Sequence, residues 1–230
     1  MKKRHRLGQH FLKSNKIAHK IVSTAKPSKK DTVLEIGTGQ GILVPLLCKN
    51  AKNVISIEAD KELHKEISIK FSKIPNLTLR HGDGFKSQDD FTIFVSNLPY
   101  SKSKNAIEWL TQKKFLRAVV MVQNEFAQKL FQEKKAISVL ANYAFDIRKI
   151  TKVGKNNFSP PPKVDSVVLE LTRKNQVSKE LIAAVNNLFS YRRKTLQNIL
   201  KQFGQDIESD KRLDDLNGDE IIKIAKQIIK

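Results

Sequence analysis

The sequence predicts an α/β protein with a doubly wound parallel sheet, followed by a small helical domain. Three observations predict this fold. Apolar runs of strand length alternate with amphipathic stretches at helical spacing through most of the chain. A glycine-rich turn joins the first of these strands to a helix, as is common in open α/β sheets. From Gln176 onward the pattern is that of helices alone, so we place a domain boundary near residue 175.

The elements follow one another in a regular order. Ser14 and Asp60 are residue types that commonly cap helix N-termini, and each precedes an amphipathic stretch. The predicted strands cover residues 33–36, 54–57, 77–80, 91–95, 116–122 and 164–171. Three predicted helices have both bounds, at about 14–25, 42–50 and 60–71. Another passes through 107–110, and three more begin at Asn124, Ser178 and Gly218. After Ser138 the pattern is less clear until the final strand, which a proline-rich extended segment precedes.

The charge of the chain is strongly unbalanced. Lys and Arg number 43 against 23 Asp and Glu, which gives a formal net charge of +20 and a pI near 10.0. This excess predicts attraction to a polyanion, with nucleic acid favoured over a membrane surface. The alternative is a solvated, lysine-rich surface without a partner. No acidic residue precedes Asp31, and we expect the arm to track phosphates through Lys2, Lys3, Arg4 and Arg6.

Several classes of protein are disfavoured. No apolar run approaches the roughly 20 residues of a membrane span, and no secretory signal is recognisable. The single cysteine, Cys48, cannot form an internal disulfide and lies in an apolar helical run, which predicts core packing in a reducing compartment, the cytoplasm. The five histidines are scattered, so no metal site is expected.

A cofactor site is predicted at the ends of the first three strands. Residues 35–41 read Glu-Ile-Gly-Thr-Gly-Gln-Gly, and Gly37 and Gly39 let a ligand approach the backbone closely. Glu58 ends the second strand, where a carboxylate can bind ribose hydroxyls, and Asp83 follows the third, where it can accept from an adenine amino group. The alternative for both carboxylates is a capping or turn role. Because no Lys-Ser/Thr follows the glycines, S-adenosylmethionine suits the site better than ATP or GTP.

The tetrapeptide Asn97-Leu98-Pro99-Tyr100 follows the fourth strand. Pro99 ends the strand and favours an extended Leu98, so an amide and an aromatic ring are held at the carboxyl end of the sheet. An amide can accept a hydrogen from an exocyclic amine, and a ring can stack on a base. The segment therefore predicts a pocket for an amino-bearing nucleobase. The alternative is a proline turn with a solvated asparagine.

Taken together, these motifs resemble the rRNA adenine N6-dimethyltransferase family. This family includes a kasugamycin-resistance type, which acts near the 3′ end of small-subunit rRNA, and an erythromycin-resistance type, which acts on large-subunit rRNA. The resemblance covers about residues 4 to 200. The matching segments are 8–12, 35–41, 57–60, 82–83, 97–100 and 158–166.

The resemblance implies a Rossmann-like S-adenosylmethionine-dependent methyltransferase sheet with helices on both faces, and a small C-terminal helical domain. It divides the chain into a basic arm and helix (1–30), a catalytic domain (31–175) and an RNA-binding domain (176–230). His10 and Leu12 would lie against the cofactor, Gly37 at its methionine part, Glu58 at the ribose, Asp83 at the adenine and Asn97 beside the methyl group. The family usually has Asn where this chain has His10, and Pro where it has Thr38.

The chemistry of adenine N6 gives the tetrapeptide a mechanism. The N6 lone pair is delocalised into the ring, so accepting both N6 hydrogens, at the Asn97 side chain and the Leu98 carbonyl, would aim that lone pair at the methyl group. Tyr100 and Phe158 could sandwich the extruded base, although Phe158 could instead be an ordinary core aromatic. Residues expected to contact RNA phosphates are Lys102, Lys104, Arg192, Arg193 and Lys194.

The predicted function is N6,N6-dimethylation of adenines near the 3′ end of small-subunit rRNA during ribosome biogenesis. Leu98, the run 163–166 and the run 189–196 favour that branch of the family. The expected partner is small-subunit rRNA or a pre-ribosomal small-subunit particle, and the expected state is a monomer. The alternatives are a macrolide-resistance-type enzyme acting on large-subunit rRNA, and an assembly factor in which methylation is secondary. An adenine methyltransferase acting on DNA would also fit the pocket.

Overall fold

A computed structural model describes residues 10–132, 134–205 and 207–229 of the chain. Lys2, Lys3, Arg4 and Arg6, predicted to contact RNA, lie outside these ranges. The described chain forms two compact units. The first comprises the residues up to Ala106, Lys114–Ala127 and Ile147–Arg173, and the second comprises Ile107–Lys113, Gln128–Asp146 and the residues from Lys174 onward. The second unit therefore contains two internal segments as well as the C-terminal helices.

Most predicted elements are present within a few residues of their expected bounds. The strands of the described residues are β1 Phe11–Leu12, β2 Thr32–Ile36, β3 Asn53–Glu58, β4 Leu77–His81, β5 Ile93–Asn97, β6 Arg117–Gln123, β7 Phe145–Val153, β8 Phe158–Ser159 and β9 Ser166–Arg173. The helices are α1 Asn15–Ala25, α2 Val44–Asn50, α3 Lys61–Lys70, α4 Ser103–Gln112, α5 Asn124–Phe131, α6 Ala136–Ala144, α7 Lys179–Ser190, α8 Leu196–Lys201 and α9 Gly218–Gln227.

Both predicted N-caps are confirmed. The Ser14 hydroxyl accepts from the Ile17 amide at 3.4 Å, and an Asp60 carboxylate oxygen accepts from the amides of Glu62 and Leu63 at 2.9 and 3.1 Å. These bonds satisfy amide groups of the first helical turn that have no partner within the helix. Asp60 lies two residues after Glu58, the last residue of β3. Its capping bonds therefore fix where the chain leaves the sheet and α3 begins.

The central sheet has seven strands in the order β4-β3-β2-β5-β6-β9-β7. Strands β2 to β6 are parallel, as predicted. The prediction of a wholly parallel sheet is wrong for β9, which pairs antiparallel with β6 from Arg117↔Thr172 to Gln123↔Ser166. Strand β9 is also the neighbour of β7 in the sheet. The connection between β7 and β9 contains no α-helix, and a crossover that made these two strands parallel would ordinarily need one. A separate two-stranded pair joins β1 antiparallel to β8.

The predicted α/β architecture is confirmed, with helices flanking the sheet. The middle strands of the first unit are apolar and nearly inaccessible, and Val33, Phe94 and Val119 are all 0% exposed. Helix α1 packs against β5, β6 and β9, while α2 and α3 pack against β3 and its neighbour β4. Burying such side chains contributes roughly 1.5–3 kcal/mol each. This core holds the carboxyl ends of β2, β3 and β5 at one edge of the sheet, where α/β proteins bind ligands.

The second unit is helical. Its helices α6, α7 and α9 pack against one another, burying Leu140, Val185 and Ile221. The helix predicted from Ser178 is α7, and the Ser178 hydroxyl caps it by accepting from the Leu181 amide at 3.2 Å. None of the helices within the described ranges combines the length and apolarity that crossing a bilayer requires.

Candidate active site

A pocket opens at the carboxyl ends of β2, β3 and β5. Its empty space is about 670 Å³, which includes the part open to solvent. Four parts of the chain form its wall: the segment that contains β1, the end of β2 with the loop that follows it, the end of β3, and the tetrapeptide that begins at the last residue of β5. The predicted site residues on the wall are His10, Leu12, Gly37, Gly39, Glu58, Asn97, Leu98, Pro99 and Tyr100.

The loop after β2 has a backbone that favours glycine. Gly37 and Gly39 have φ values of +82° and +56°, in the left-handed region that side chains rarely adopt. A Cβ on Gly39 would lie 3.1 Å from Cδ1 of Phe11. The loop can therefore bring its backbone close to a ligand, and the Phe11 ring packs closely against it at Gly39.

Glu58 is held in place by two backbone amides. Its Oε2 accepts from the Gly39 amide at 2.8 Å and its Oε1 from the Asp60 amide at 2.9 Å, and the residue is 4% exposed. Each carboxylate oxygen keeps lone-pair capacity for a further donor. The carboxylate is thus positioned at the pocket wall with acceptors available for hydroxyl groups such as those of a ribose.

A second carboxyl group lies beneath the glycine loop. The Ser56 hydroxyl donates to Glu35 Oε2 at 2.5 Å and lies 2.6 Å from the Thr38 hydroxyl. Burial, with a smaller contribution from the negative charge of Glu58, raises the pKa of Glu35 to about 8, against the opposing effect of the Ser56 hydrogen bond. Glu35 is therefore mostly protonated at neutral pH, and the bonds from Glu35 through Ser56 to Thr38 tie the loop to the sheet.

Asn97 ends β5 and bonds to the segment of β1. Its Nδ2 donates to the main-chain carbonyl of His10 at 3.3 Å. The His10 ring is fixed in turn by a 2.9 Å contact between Nδ1 and the Pro160 carbonyl. Because a carbonyl can only accept, Nδ1 of His10 carries a hydrogen, and the amide NH₂ of Asn97 faces His10. The Asn97 Oδ1 is the atom left to accept a hydrogen from a ligand.

Tyr100 is anchored at its hydroxyl. The Tyr100 Oη lies 2.7 Å from the Oγ of Ser166, and its ring centroid is 5.6 Å from that of His10 at an interplanar angle of 31°. Burial raises the pKa of the Tyr100 phenol, and the nearby Asp165 charge acts in the same direction. The residue therefore presents a neutral, oriented aromatic ring at the pocket wall.

Asp83, predicted to contact adenine, is not among the residues that form the pocket wall. It is exposed, and its Oδ1 accepts from the Phe85 amide at 3.1 Å, capping a short 3₁₀ turn. Its main chain nevertheless adjoins Glu58, because the Gly82 amide donates to the Glu58 carbonyl at 2.9 Å. The capping role was the alternative for this residue, and adenine binding by the second oxygen stays a prediction.

Phe158 is also absent from the pocket wall. It is 1% exposed and belongs to the core together with Leu12, with which it pairs across β1 and β8. In this conformation it is a core aromatic. Stacking of Phe158 on a base stays a prediction that requires this side chain to move.

Pattern reasoning missed several residues of the wall. Phe11 adjoins two predicted residues in the motif 8–12, and its packing against Gly39 is visible only in the fold. Thr38 and Gln40 belong to the glycine loop, which in principle identifies them as wall residues. Ile42 and Leu43 come directly after that loop and also line the pocket.

The residues predicted to contact RNA occupy two parts of the chain. Lys102 and Lys104 are exposed just after Tyr100. Arg192, Arg193 and Lys194 lie in the turn between α7 and α8. Arg192 forms a two-pronged ion pair with Asp214 at 3.0 and 2.9 Å, and the Lys194 ammonium lies 5.0 Å from the Tyr191 ring centroid. Arg193, by contrast, makes neither an ion pair nor a cation–π contact within the described parts of the chain.

Two solved structures with this fold are methyltransferases. A dimethyladenosine transferase from Plasmodium falciparum is 27% identical with a TM-score of 0.81, covering 94% of this chain and 96% of its own. The 23S rRNA methyltransferase ErmE, at 22% identity, shares the fold with a TM-score of 0.73, over 96% of this chain and all of its own. Together with the pocket, this similarity defines the class of the protein: it has the fold of the S-adenosylmethionine-dependent methyltransferases.

The sequence comparisons specify the family. The sequence model for "Ribosomal RNA adenine dimethylase" matches residues 1–229, so the chain belongs to that family. A ribosomal RNA small subunit methyltransferase A from Thermotoga neapolitana is 36% identical over 95% of this chain and 88% of its own length. A protein of the same name from Mycoplasma mobile is 37% identical over 85% and 82%. The predicted enzyme class, an rRNA adenine methyltransferase, is confirmed.

Proposed function

We propose that this protein transfers methyl groups from S-adenosylmethionine to N6 of adenines near the 3′ end of small-subunit rRNA, during assembly of the small ribosomal subunit. The relatives named as small-subunit methyltransferases support this choice of subunit. Within the molecule, the orientation of Asn97 carries the proposal, because its Oδ1 is free to accept a hydrogen from an exocyclic amine.

The residues of the pocket fit the cofactor. Glu58 offers acceptors for the two ribose hydroxyls, and the loop around Gly37 leaves room for the methionine part. Leu12 would supply an apolar surface, and Asp83 a carboxylate for the adenine amino group. S-adenosylmethionine, when bound, supplies an electrophilic methyl group.

The chain positions the target base. Asn97 Oδ1 and the Leu98 carbonyl would accept the two N6 hydrogens, which turns the N6 lone pair toward the methyl group. Pro99 keeps this segment extended, and Tyr100 would stack on the base, which is worth roughly 1–3 kcal/mol. Positioning and electrostatics can then supply most of the rate. A dedicated general base is unnecessary because the N6 proton becomes acidic once the nitrogen is alkylated.

A transfer assay tests this proposal. Unmethylated small and large ribosomal subunits, and their naked RNAs, are incubated with the enzyme and labelled S-adenosylmethionine, and their nucleosides are analysed by mass spectrometry. The proposal predicts N6,N6-dimethyladenosine in small-subunit material. Label confined to large-subunit RNA contradicts it and identifies a resistance-type enzyme, whereas tight RNA binding without any transfer identifies an assembly factor.

A further inference from the structure

A further basic surface lies on the edge of the sheet and consists of residues to which no RNA contact has been attributed above. Strand β7 is the last strand in the sheet order. Between Ile147 and Val164 the sequence contains no acidic residue, and its basic residues are all exposed: Arg148, Lys149, Lys152, Lys155 and Lys163. We call Lys149, Lys152, Lys155 and Lys163 the β7 lysine surface.

Only part of this charge is neutralised within the first unit. Glu170 pairs with both Arg117 at 2.9 Å and Arg148 at 2.8 Å. Its carboxylate therefore already neutralises charge on these two arginines. Asp165 pairs with the Lys152 ammonium at 2.9 Å and accepts from the Lys155 amide at 3.1 Å.

These bonds keep Asp165 ionised, since the Lys152 hydrogen bond is the main cause that lowers its pKa. Its single negative charge pairs with the Lys152 ammonium, whereas Lys155 bonds to it through the main-chain amide. Within the described parts of the chain, the ammonium groups of Lys149 and Lys163 have no ion-pair partner. The surface therefore carries an uncompensated positive charge.

The surface continues to the rim of the active-site pocket. After β7 the chain turns through a short 3₁₀ helix, Lys155–Asn157, into β8, which pairs with β1. The Lys13 amide donates to the Asn157 carbonyl at 2.9 Å, which places the exposed Lys13 beside this turn. Three residues further on, the Pro160 carbonyl holds the His10 ring of the pocket wall.

We propose that the β7 lysine surface binds the sugar-phosphate backbone of the RNA strand that flanks the target adenosine. The inference rests on the proposed function in one respect, namely that the substrate is RNA. Lysines act as point charges toward phosphates and need no base-specific geometry, so contacts here would add affinity without sequence preference. Lysines on an edge strand also oppose aggregation, which is a purely structural role that the experiment must separate.

The test compares three variants with the wild type by RNA affinity over a range of salt concentrations. The first is the variant K149Q/K155Q/K163Q, which spares the ion-paired Lys152. The second is K149R/K155R/K163R, which keeps the charge. The third is the matched control K49Q/K52Q/K73Q, whose exposed lysines precede β3 and β4 at the opposite edge of the sheet. The probe is a single-stranded RNA fragment with the 3′-terminal sequence of small-subunit rRNA, followed by fluorescence anisotropy.

We expect the glutamine triple variant to flatten the slope of log affinity against log salt by about 2, since each phosphate contact to a single strand contributes about 0.7. The arginine variant should keep the wild-type slope. Because the control removes equal charge elsewhere, its slope should change much less. Cofactor affinity, measured by calorimetry, verifies that each variant is folded.

Equal slopes for the glutamine variant and the control overturn the inference, as does a glutamine variant that aggregates while its monomeric fraction binds RNA normally. The slope does not depend on methyl transfer. A wild-type enzyme that fails to methylate small-subunit RNA therefore contradicts the proposed function alone, and the slope still decides the inference.

Discussion

The side-chain amide of Asn97 donates to the main-chain carbonyl of His10 across 3.3 Å. This bond joins the end of β5 to the segment that contains β1, two parts of the chain separated by 87 positions. It also fixes which end of the amide faces the ligand. A side-chain amide that is free to flip would present NH₂ half of the time, and NH₂ cannot accept a hydrogen from an amine. The His10 carbonyl therefore prepares Asn97 for an amino-bearing base.

Replacing Glu58 by Gln should weaken cofactor binding. The carboxylate accepts from two amides, and a glutamine can accept with only one of its two ends while its NH₂ opposes the other amide. Hydrogen bonds to charged groups are worth about 1.5–3 kcal/mol, so we expect the Kd for S-adenosylmethionine to rise about 10- to 100-fold. Calorimetric titration measures this, with the exposed Glu62→Gln as control. An unchanged Kd for Glu58→Gln would remove Glu58 from the cofactor site.

Two variants of Tyr100 should separate stacking from anchoring. Tyr100→Ala removes the ring, and we expect KM for RNA to rise about 5- to 150-fold, the equivalent of roughly 1–3 kcal/mol of stacking. Tyr100→Phe loses only the bond to Ser166, and should cost less and match Ser166→Ala. Steady-state kinetics with RNA as the varied substrate distinguish these effects. If Tyr100→Ala kept the wild-type KM, the base would not stack on this ring.

The buried Glu35 gives stability a pH dependence. Its pKa is about 8 in the folded protein against an ordinary 4.5, so between these values the folded state holds one proton more than the unfolded state. Stability should therefore fall as pH rises through this window, by up to about 1.4 kcal/mol per pH unit. Glu35→Gln cannot ionise and should lose this contribution.

Urea unfolding of both proteins at intervals from pH 5 to pH 9 tests this expectation. The free energy of unfolding of Glu35→Gln, relative to the wild type, should increase with pH and level off above about pH 8. Parallel curves for the two proteins would show that Glu35 does not retain a proton in the folded state.

Local signals were sufficient for much of the fold. Ser14 and Asp60 cap the helices they were expected to cap, because capping depends on bonds within three residues. Two of the elements that were missed, α6 and β7, follow each other without a break. Ala144 ends the helix and Phe145 begins the strand, and no glycine or proline marks the change. In β7 the adjacent Arg148 and Lys149 are both exposed, which obscures the alternation typical of a strand.

The site was predictable where a strand end fixes a residue, and less so where the outcome depends on distant partners. Glu58 and Asn97 end parallel strands, so their place at the pocket follows from the sheet. The protonation of Glu35 depends on Ser56, 21 positions away, and the burial of Phe158 depends on its pairing with Leu12. No local pattern contains these relationships.

The most direct test of the account concerns Asn97, in a single-turnover assay of methyl transfer with S-adenosylmethionine affinity measured in parallel. Removing a positioned group that acts in the transition state costs about 10²–10³ in rate, so Asn97→Ala should lose at least this much while cofactor affinity changes little. Asn105→Ala, an exposed asparagine of α4, serves as control and should transfer normally. Near-normal transfer by Asn97→Ala would contradict the assignment of Asn97 to the reacting amine.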